Sequence, residues 1–170
     1  MKDIVKLLNE MCDGGIINTY AIFGAVAQMR YTEAVVTLDL DILVGLPEND
    51  SLAILSPIYK FCKEKGYHPE GEAIEIGDWP VQFLPTFDDL SKEAMLNAEE
   101  TDFDGIKVRV VSAEYLAVLA LKVGRTKDHA RIIALLDANA VNMGKIEKIV
   151  SDHQLIKEWN NFKSRFIDEN

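Results

Sequence analysis

The stretch YAIFGAVAQMRYTEAVVTLDLDILV, residues 20–44, decides the fold of this 170-residue chain. Its first four residues suit a short strand, and Gly24 and Ala25 then lead into a short helical run. After a break the sequence alternates, which predicts a second strand. Its apolar residues fall on one face: Val36, Leu38, Leu40, Ile42 and Val44. Its polar residues fall on the other: Thr37, Asp39 and Asp41. Because residues two apart in a strand point the same way, the two carboxylates are predicted to lie about 6–7 Å apart at the backbone.

The carboxylate pair Asp39 and Asp41 needs a neutralising partner. Aspartate is a poor strand former, and like charges on one face repel each other. A hard cation with oxygen ligands removes that repulsion, and Mg²⁺ is the usual one where phosphates share its shell. Upstream, Gly24 stands at a predicted helix start, where free backbone N–H groups favour an anion. The alternative is an edge strand that uses its charges to block aggregation.

A second signature lies further along the chain, in the run EYLAVLALKVGRTKDHARIIALLD at residues 114–137. Together with the Gly-Ala turn and the Thr-x-Asp-x-Asp strand, it resembles the polymerase-beta-like nucleotidyltransferase superfamily. Within that superfamily, the run is similar to the prokaryotic branch related to the AbiEii toxins of abortive-infection systems. The two signatures together span residues 20 to 137, which is most of the chain.

The resemblance implies an α+β fold, in which a small mixed sheet carries the carboxylates and a C-terminal helical layer closes one side of a cleft. The order of the predicted elements agrees, since a mixed α/β half precedes an all-helical tail. We therefore expect one domain over residues 1–170, with a nucleotidyltransferase core at 1–111 and helices at 112–170 packed on it. The implied activity is metal-dependent transfer of a nucleoside monophosphate from an NTP to an acceptor hydroxyl, with Mg²⁺ or Mn²⁺ held by Asp39 and Asp41.

The same resemblance, read with the local charge pattern, implies a set of site residues. Lys122 and Arg125 stand three residues apart on one predicted helix face, where they would grip the triphosphate. Asp128 would be a catalytic, site-organising acid. The residues expected to bind the nucleotide are Gly24, Ala25, Thr37, Gln82, Lys122, Arg125 and Lys127. The alternative for the basic group is a surface cluster of intrahelical ion pairs.

Two positions depart from the pattern of the superfamily. The strand that usually supplies a third carboxylate matches Val81-Gln82-Phe83, so Gln82 stands where an aspartate is expected. An amide oxygen can ligate a metal, but it carries no charge and cannot act as a base. In the second signature, the branch has an acid where this chain has Arg131. Both departures favour an alternative function, a non-catalytic module of the same fold that binds a nucleotide or a protein partner.

The net charge of the chain limits the kinds of partner that it can bind. The formal net charge is −10, and residues 70–104 contain eleven carboxylates and one cation, Lys92. Such a surface disfavours extended nucleic-acid binding, because neutralising phosphates requires lysine and arginine. It is either a solvated flank that confers solubility or a docking face for a basic protein partner, such as a cognate antitoxin.

Other features predict a cytoplasmic protein without a membrane segment. No apolar run approaches the ~18 residues of a membrane span, and the first residues lack the apolar core of a signal peptide. Cys12 and Cys62 form neither a disulfide framework nor a metal-ligand spacing. Residues 1–13 predict an amphipathic helix ended by Gly14, and residues 47–51 predict a turn. One apolar stripe fits either a core-facing helix or a homodimer face: Leu155, Trp159, Phe162 and Phe166.

Overall fold

The computed structural model describes residues 1–33, 36–47 and 53–167. Strands and helices mix through the first two thirds of the chain, and helices alone follow. In chain order the elements are α1 (Lys2–Asp13), β1 (Thr19–Ile22), α2 (Gly24–Gln28), β2 (Leu40–Gly45), α3 (Ser56–Glu64), β3 (Pro69–Glu70), β4 (Ala73–Ile76), β5 (Trp79–Pro85), α4 (Asp89–Leu96), β6 (Glu99–Phe103), β7 (Ile106–Val110), α5 (Ala113–Val123), α6 (Thr126–Asp137), α7 (Met143–Asp152) and α8 (Ile156–Phe166). The predicted α+β class, with a mixed sheet and a C-terminal helical layer, is confirmed.

The sheet places the start of β2 beside the start of β5. In the described residues it has seven strands in the order β3-β4-β5-β2-β1-β7-β6. The central strand β2 is antiparallel to β1 and parallel to β5, with Asp41 opposite Gln82 in the parallel register. A parallel pair needs a long crossover, which α3, β3 and β4 provide here. Polar residues from two distant parts of the sequence therefore meet at one edge of the sheet.

The strand β2 is shorter than the alternation predicts. Leu40, Ile42 and Val44 are buried, but Val36 and Leu38 precede the strand and are 94% and 85% exposed, so the prediction that all five lie on one strand face is wrong. The Thr37 hydroxyl donates to the backbone oxygen of Asp39 at 3.0 Å. Short polar side chains that bond to nearby backbone compete with strand pairing, and here the competition delays the strand until Leu40.

The predicted end of the first helix at Gly14 is confirmed. The helix α1 buries one apolar face and is followed by Gly14 as its C-cap. The helix α3 begins at Ser56 with Pro57 in its first turn, a position where the missing N–H of proline costs no helical hydrogen bond. The turn predicted at 47–51 lies, from residue 48 onward, outside the described residues.

The C-terminal layer is organised around α5, which is buried from Ala113 to Leu121. This helix packs against α2, α4, α6, α7 and α8. Trp159 and Phe162 of α8 are each 3% exposed and stack with ring centroids 5.6 Å apart. The apolar stripe of α8 therefore belongs to the core of the chain. Among the described residues, no helix has both the length and the apolar character that crossing a membrane requires.

The strand β6 has no counterpart in the sequence predictions. Its residues, EETDF, are rich in acids that disfavour strands, yet they pair antiparallel with β7 along the whole element. Most of its side chains are exposed, and Glu100 forms an ion pair with Lys107 of β7. Acidic side chains on an edge strand oppose pairing with another chain, which explains how this composition is compatible with a strand.

Arg109 of β7 joins the sheet to the end of α4. Its guanidinium donates to the backbone oxygens of Met95 and Leu96, at 3.2 and 3.0 Å, and to the hydroxyl of Thr19 on β1. Carbonyls of the last helical turn have no partner within the helix, so a cation that reaches them is stabilising. One side chain thus fixes α4 against two strands.

We expect Arg109→Met to lower the free energy of unfolding by about 1–3 kcal/mol, because it keeps the aliphatic stem and removes the hydrogen bonds of the guanidinium. Lys107→Met on the same strand is the matched control, since Lys107 is exposed and pairs only at the surface. Urea unfolding of both variants measures the difference. Equal effects of the two variants would show that Arg109 does not hold α4.

Candidate functional site

A cavity of about 700 Å³ lies at the starts of β2 and β5, facing the first half of α6. It brings together most of the predicted site residues. From the sheet side these are Ala25, Thr37, Asp39, Asp41 and Gln82, and from the α6 side they are Arg125 and Lys127. The cavity thus has a carboxylate wall and a cationic wall. The exposed apolar side chains of Val36 and Leu38 also line it.

Asp39 is held by two neighbours. Its Oδ1 accepts from the Thr37 hydroxyl at 3.2 Å, and its Oδ2 accepts from the Gln82 amide nitrogen at 3.2 Å. Gln82 therefore lies beside the carboxylate pair, as the alignment of Val81-Gln82-Phe83 with the third-carboxylate strand requires. Its amide orients Asp39 through a hydrogen bond, and it adds no negative charge to the cavity.

Asp41 is the carboxylate of the pair whose charged form the folded chain disfavours. Burial raises the pKa of its carboxyl, and the nearby charge of Asp39 raises it further, while Arg131, Lys127 and Arg125 act in the opposite direction. The net effect is a raised pKa, which means that the folded chain disfavours the charged form of Asp41. A cation bound at the pair would remove this penalty.

The carboxylate of Asp41 rests directly on Gly24. The backbone of Gly24 has a φ of +67°, and a Cβ added there would lie 2.2 Å from Asp41 Oδ2. Both the left-handed conformation and the contact exclude a side chain at this position. The glycine of the predicted Gly-Ala turn is thus required locally by the site carboxylate itself.

Arg125 and Asp128 form a preorganised pair on the opposite wall. Arg125 Nε donates to Asp128 Oδ2 at 2.7 Å, Nη2 donates to Oδ1 at 3.2 Å, and the Arg125 backbone N–H donates to Oδ2 at 3.2 Å. The Asp128 side chain is 2% exposed, whereas that of Arg125 is 60% exposed. Burial raises the pKa of Asp128, but the hydrogen bonds and charge of Arg125 outweigh it and leave the pKa lowered. Asp128 lies behind Arg125 and positions it, and it does not line the cavity.

Lys122 is not brought into the cavity. The helix α5 ends at Val123, Gly124 takes a left-handed conformation with φ of +71°, and Arg125 caps the next helix. The prediction that Lys122 and Arg125 share one helix face is therefore wrong, because the left-handed Gly124 ends α5 between them. Lys122 Nζ instead lies 2.9 Å from Asp88 Oδ1, at the N-terminus of α4.

Arg131 is a charged residue of this cavity that the sequence did not predict as a site residue. It lines the cationic wall, and its Nε donates to Gln28 Oε1 at 3.0 Å. The sequence shows it only as a departure from the expected acid. A helical signal was nevertheless present, since residues four apart lie on the same helix face and Arg131 follows Lys127 by four.

The donors in the cavity suit one hard cation completed by ligands from outside the chain. Asp39 and Asp41 supply carboxylate oxygens, and Mg²⁺ typically takes one or two carboxylates together with phosphate and water oxygens. Within the ranges that the structure describes, no group of three or more His, Cys, Asp or Glu side chains could hold a metal. The residues present thus fit a metal bound together with a phosphate better than a closed protein site.

Comparison with known proteins establishes the fold. No protein-family model matches the sequence, and no curated protein matches it. Among solved structures, ANT(2'')-Ia in complex with adenylyl-2''-tobramycin superposes with a TM-score of 0.52 at 16% identity, over 96% of this chain and 97% of that chain. An antigenic nucleotidyltransferase-like protein from Paracoccidioides brasiliensis gives 0.51 at 14% identity, over 95% and 89%. The chain therefore has the nucleotidyltransferase fold, as the sequence resemblance predicted.

The contact of Asp41 with Gly24 predicts a specific loss of stability. Gly24→Ala should destabilise the fold by more than the about 1–2 kcal/mol of a left-handed alanine, because the carboxylate must also move. Gly77→Ala is the control, since Gly77 has a φ of +64° and nothing within 4 Å of an added Cβ. In a double-mutant cycle, Asp41→Ala removes the carboxylate that an added Cβ would meet. In that background, Gly24→Ala should lower the free energy of unfolding by only the amount expected for a left-handed alanine. Equal losses for both glycine variants would contradict the contact.

Because the pKa of Asp41 is raised, removing its charge should increase the stability of the fold, by an amount that depends on pH. The protonated form of Asp41 favours folding, so its contribution is fully present below the unfolded pKa of about 3.9 and is lost as pH rises through the folded pKa. Asparagine resembles the protonated form. In metal-free buffer, Asp41→Asn should therefore be more stable than the parent at pH 7, and the difference should vanish near pH 3.

Urea unfolding between pH 3 and pH 8 makes this measurement. Asp78→Asn is the control, because Asp78 is exposed in the turn between β4 and β5. A variant Asp41→Asn that is less stable than the parent at pH 7 would show that the cations of α6 stabilise the ionised form more than burial disfavours it.

Proposed function

We propose that this chain is a nucleotidyltransferase, which transfers a nucleoside monophosphate from an NTP to an acceptor hydroxyl. The observation that carries the proposal is one cavity in which the carboxylates of Asp39 and Asp41 face the cations Arg125 and Lys127. A triphosphate with a divalent cation requires both charges at once, anions for the metal and cations for the phosphates. The shared fold with ANT(2'')-Ia agrees with this function.

On the cationic wall, Arg125 and Lys127 would bind the triphosphate. Arg125 is held by the buried Asp128, so little side-chain freedom is lost when a phosphate binds. The fork geometry of a guanidinium suits phosphate oxygens, and hydrogen bonds between ionised partners are the strong ones. Asp128 acts in this proposal as the residue that organises the site through Arg125. Lys122 lies outside the cavity, in an ion pair with Asp88 at the start of α4, and would contribute to nucleotide binding only from that position.

On the sheet side, the backbone of Gly24 and Ala25, together with Thr37 and Gln82, would complete the nucleotide site. Ala25, Thr37 and Gln82 line the cavity, and Gly24 lies beneath Asp41. Gln82 and Thr37 would hold Asp39 in the orientation that a shared ligand requires. These contacts would position the α-phosphate beside the carboxylate pair.

Asp39 and Asp41 would hold Mg²⁺ or Mn²⁺, which when bound supplies neutralisation of the charge on the phosphate oxygens. Gln82 cannot accept a proton, so general-base catalysis falls to the carboxylate pair. One of these two carboxylates would take the proton of the acceptor hydroxyl. The hydroxyl oxygen then bonds to the α-phosphorus, the bond to the β-phosphate oxygen breaks, and pyrophosphate leaves.

The acceptor in this proposal is a small hydroxylated molecule. The net charge of −10 and the acidic segment 70–104 oppose an RNA backbone. The neighbouring structure that is in complex with adenylyl-2''-tobramycin agrees with a small acceptor. Val36 and Leu38, exposed at the cavity, would contact its apolar parts. A toxin-like role of the AbiEii type in the cytoplasm, with a cognate antitoxin or other basic partner on the acidic segment, is proposed from the sequence resemblance alone.

A second candidate function is a non-catalytic module that binds a nucleotide. The observation that favours it is the presence of Gln82 and Arg131 at the two positions where carboxylates are expected. Such a module would keep the phosphate contacts of Arg125 and Lys127. It would lack the transfer step.

Calorimetry with Mg²⁺ and each of the four NTPs, followed by assay of pyrophosphate release with a panel of hydroxylated small molecules that includes tobramycin, separates these functions. We expect binding and release by the parent. The double variant Asp39→Asn and Asp41→Asn should lose more than about 100-fold in rate, because it removes both metal ligands and the base. Asp78→Asn should behave as the parent. Binding without release would support the module, and absence of binding would contradict both functions.

A further inference from the structure

Arg131 is fixed at the cavity by a buried amide. Its Nε donates to Gln28 Oε1 at 3.0 Å, across 103 positions of sequence. Gln28 is 4% exposed and ends α2, where its backbone oxygen accepts from Tyr31 and Thr32. A buried side-chain oxygen thus sets the orientation of a guanidinium from behind.

The terminal nitrogens of Arg131 are left for a ligand. In the described part of the chain, neither of them donates to a protein acceptor, and no carboxylate forms an ion pair with this side chain. Both oxygens of the nearby Asp128 are occupied by Arg125. Burial lowers the pKa of Arg131, while the charges of Asp128 and Asp41 raise it; a guanidinium stays charged in proteins all the same. A half-buried cation with free N–H donors is costly unless an anion binds it.

We infer that Arg131 is an anion-binding residue, positioned by Gln28, that binds a polyphosphate chain alongside Lys127. This inference deepens the proposed function and rests on it for the identity of the nucleotide. It assigns a role to a residue that stands where an acid is expected in related sequences. It also makes Gln28 a positioning residue, because its buried Oε1 holds the guanidinium of Arg131.

The spacing on α6 favours a chain of phosphates over a single anion. Lys127 and Arg131 are four residues apart, so their backbones are about 6 Å apart along the helix axis, on one face. Ala130, which also lines the cavity, is small and leaves room beside them. Successive phosphates can therefore contact successive cations while the chain lies against the helix.

The charge balance of the cavity favours the same ligand. Arg125, Lys127 and Arg131 line it against two carboxylates, Asp39 and Asp41, which gives a lining charge of 3 − 2 = +1. The buried Asp128 behind Arg125 brings the sum to zero. Acids at positions 82 and 131 would instead make this sum −3. The cavity can thus attract polyphosphate before any metal is bound.

The test is calorimetry with inorganic tripolyphosphate in buffer that contains EDTA. We expect the parent to bind, and Arg131→Gln to lose about tenfold or more in affinity, because hydrogen bonds to charged groups are the strong ones. Arg131→Lys should lose less, since it keeps the charge without the fork. Gln28→Met preserves the charge and the approximate volume and removes the hydrogen bond to Arg131, so we expect a loss of several-fold. Arg165→Gln on α8 is the matched control and should not change the affinity.

Three outcomes would overturn the inference: no binding by the parent, unchanged binding by Arg131→Gln, or equal losses in Arg131→Gln and Arg165→Gln. Melting temperatures identify any variant that fails to fold, in which case Arg131→Lys and Gln28→Met decide. The probe contains neither a nucleoside nor a metal. Binding that depends on Arg131 in a protein that releases no pyrophosphate would therefore contradict the proposed function and leave the inference standing.

Discussion

The repulsion between Asp39 and Asp41 at the start of β2 is the constraint around which this site is built. Each carboxylate has its own means of relief. Asp39 accepts hydrogen bonds from Thr37 and Gln82, whereas Asp41 lies on Gly24 and faces the cations of α6. Burial, and to a lesser extent the charge of Asp39, still keeps the pKa of Asp41 raised. Burial of the ionised carboxylate and its repulsion by Asp39 therefore destabilise the folded state, and a bound cation would offset both effects.

The cationic wall depends on a break between two helices. Gly124 takes a left-handed conformation, ends α5 and lets Arg125 begin α6 with its side chain at the cavity. The carboxylate of Asp128, one turn later, accepts hydrogen bonds from both the backbone N–H and the side chain of Arg125. A single buried carboxylate therefore caps the helix and orients the guanidinium that we propose binds phosphate. Structural and functional roles coincide here, so a change at Asp128 would affect both the helix and the site.

The fold is shared with nucleotidyltransferases, but the distribution of charge in the cavity differs from the pattern expected for the superfamily. Gln82 contributes a hydrogen bond in place of a third negative charge. Arg131 adds a positive charge on the opposite wall and is oriented by Gln28. The two departures act in the same direction, since both reduce the demand for metal ions and strengthen the attraction for phosphate. They are mutually consistent as features of one site, although they are far apart in the sequence.

The sequence by itself determined the features that depend on near neighbours. Alternating apolar residues predicted a strand that includes Leu40, Ile42 and Val44, and Gly24 predicted the turn, because both follow from local backbone preferences and side-chain periodicity. Only the tertiary structure decided which distant groups meet. The exposure of Val36 and the bond of Arg131 to Gln28 depend on contacts across the fold. A periodic pattern states which face a residue occupies, but the partner on that face is set by packing between elements, which no local sequence window contains.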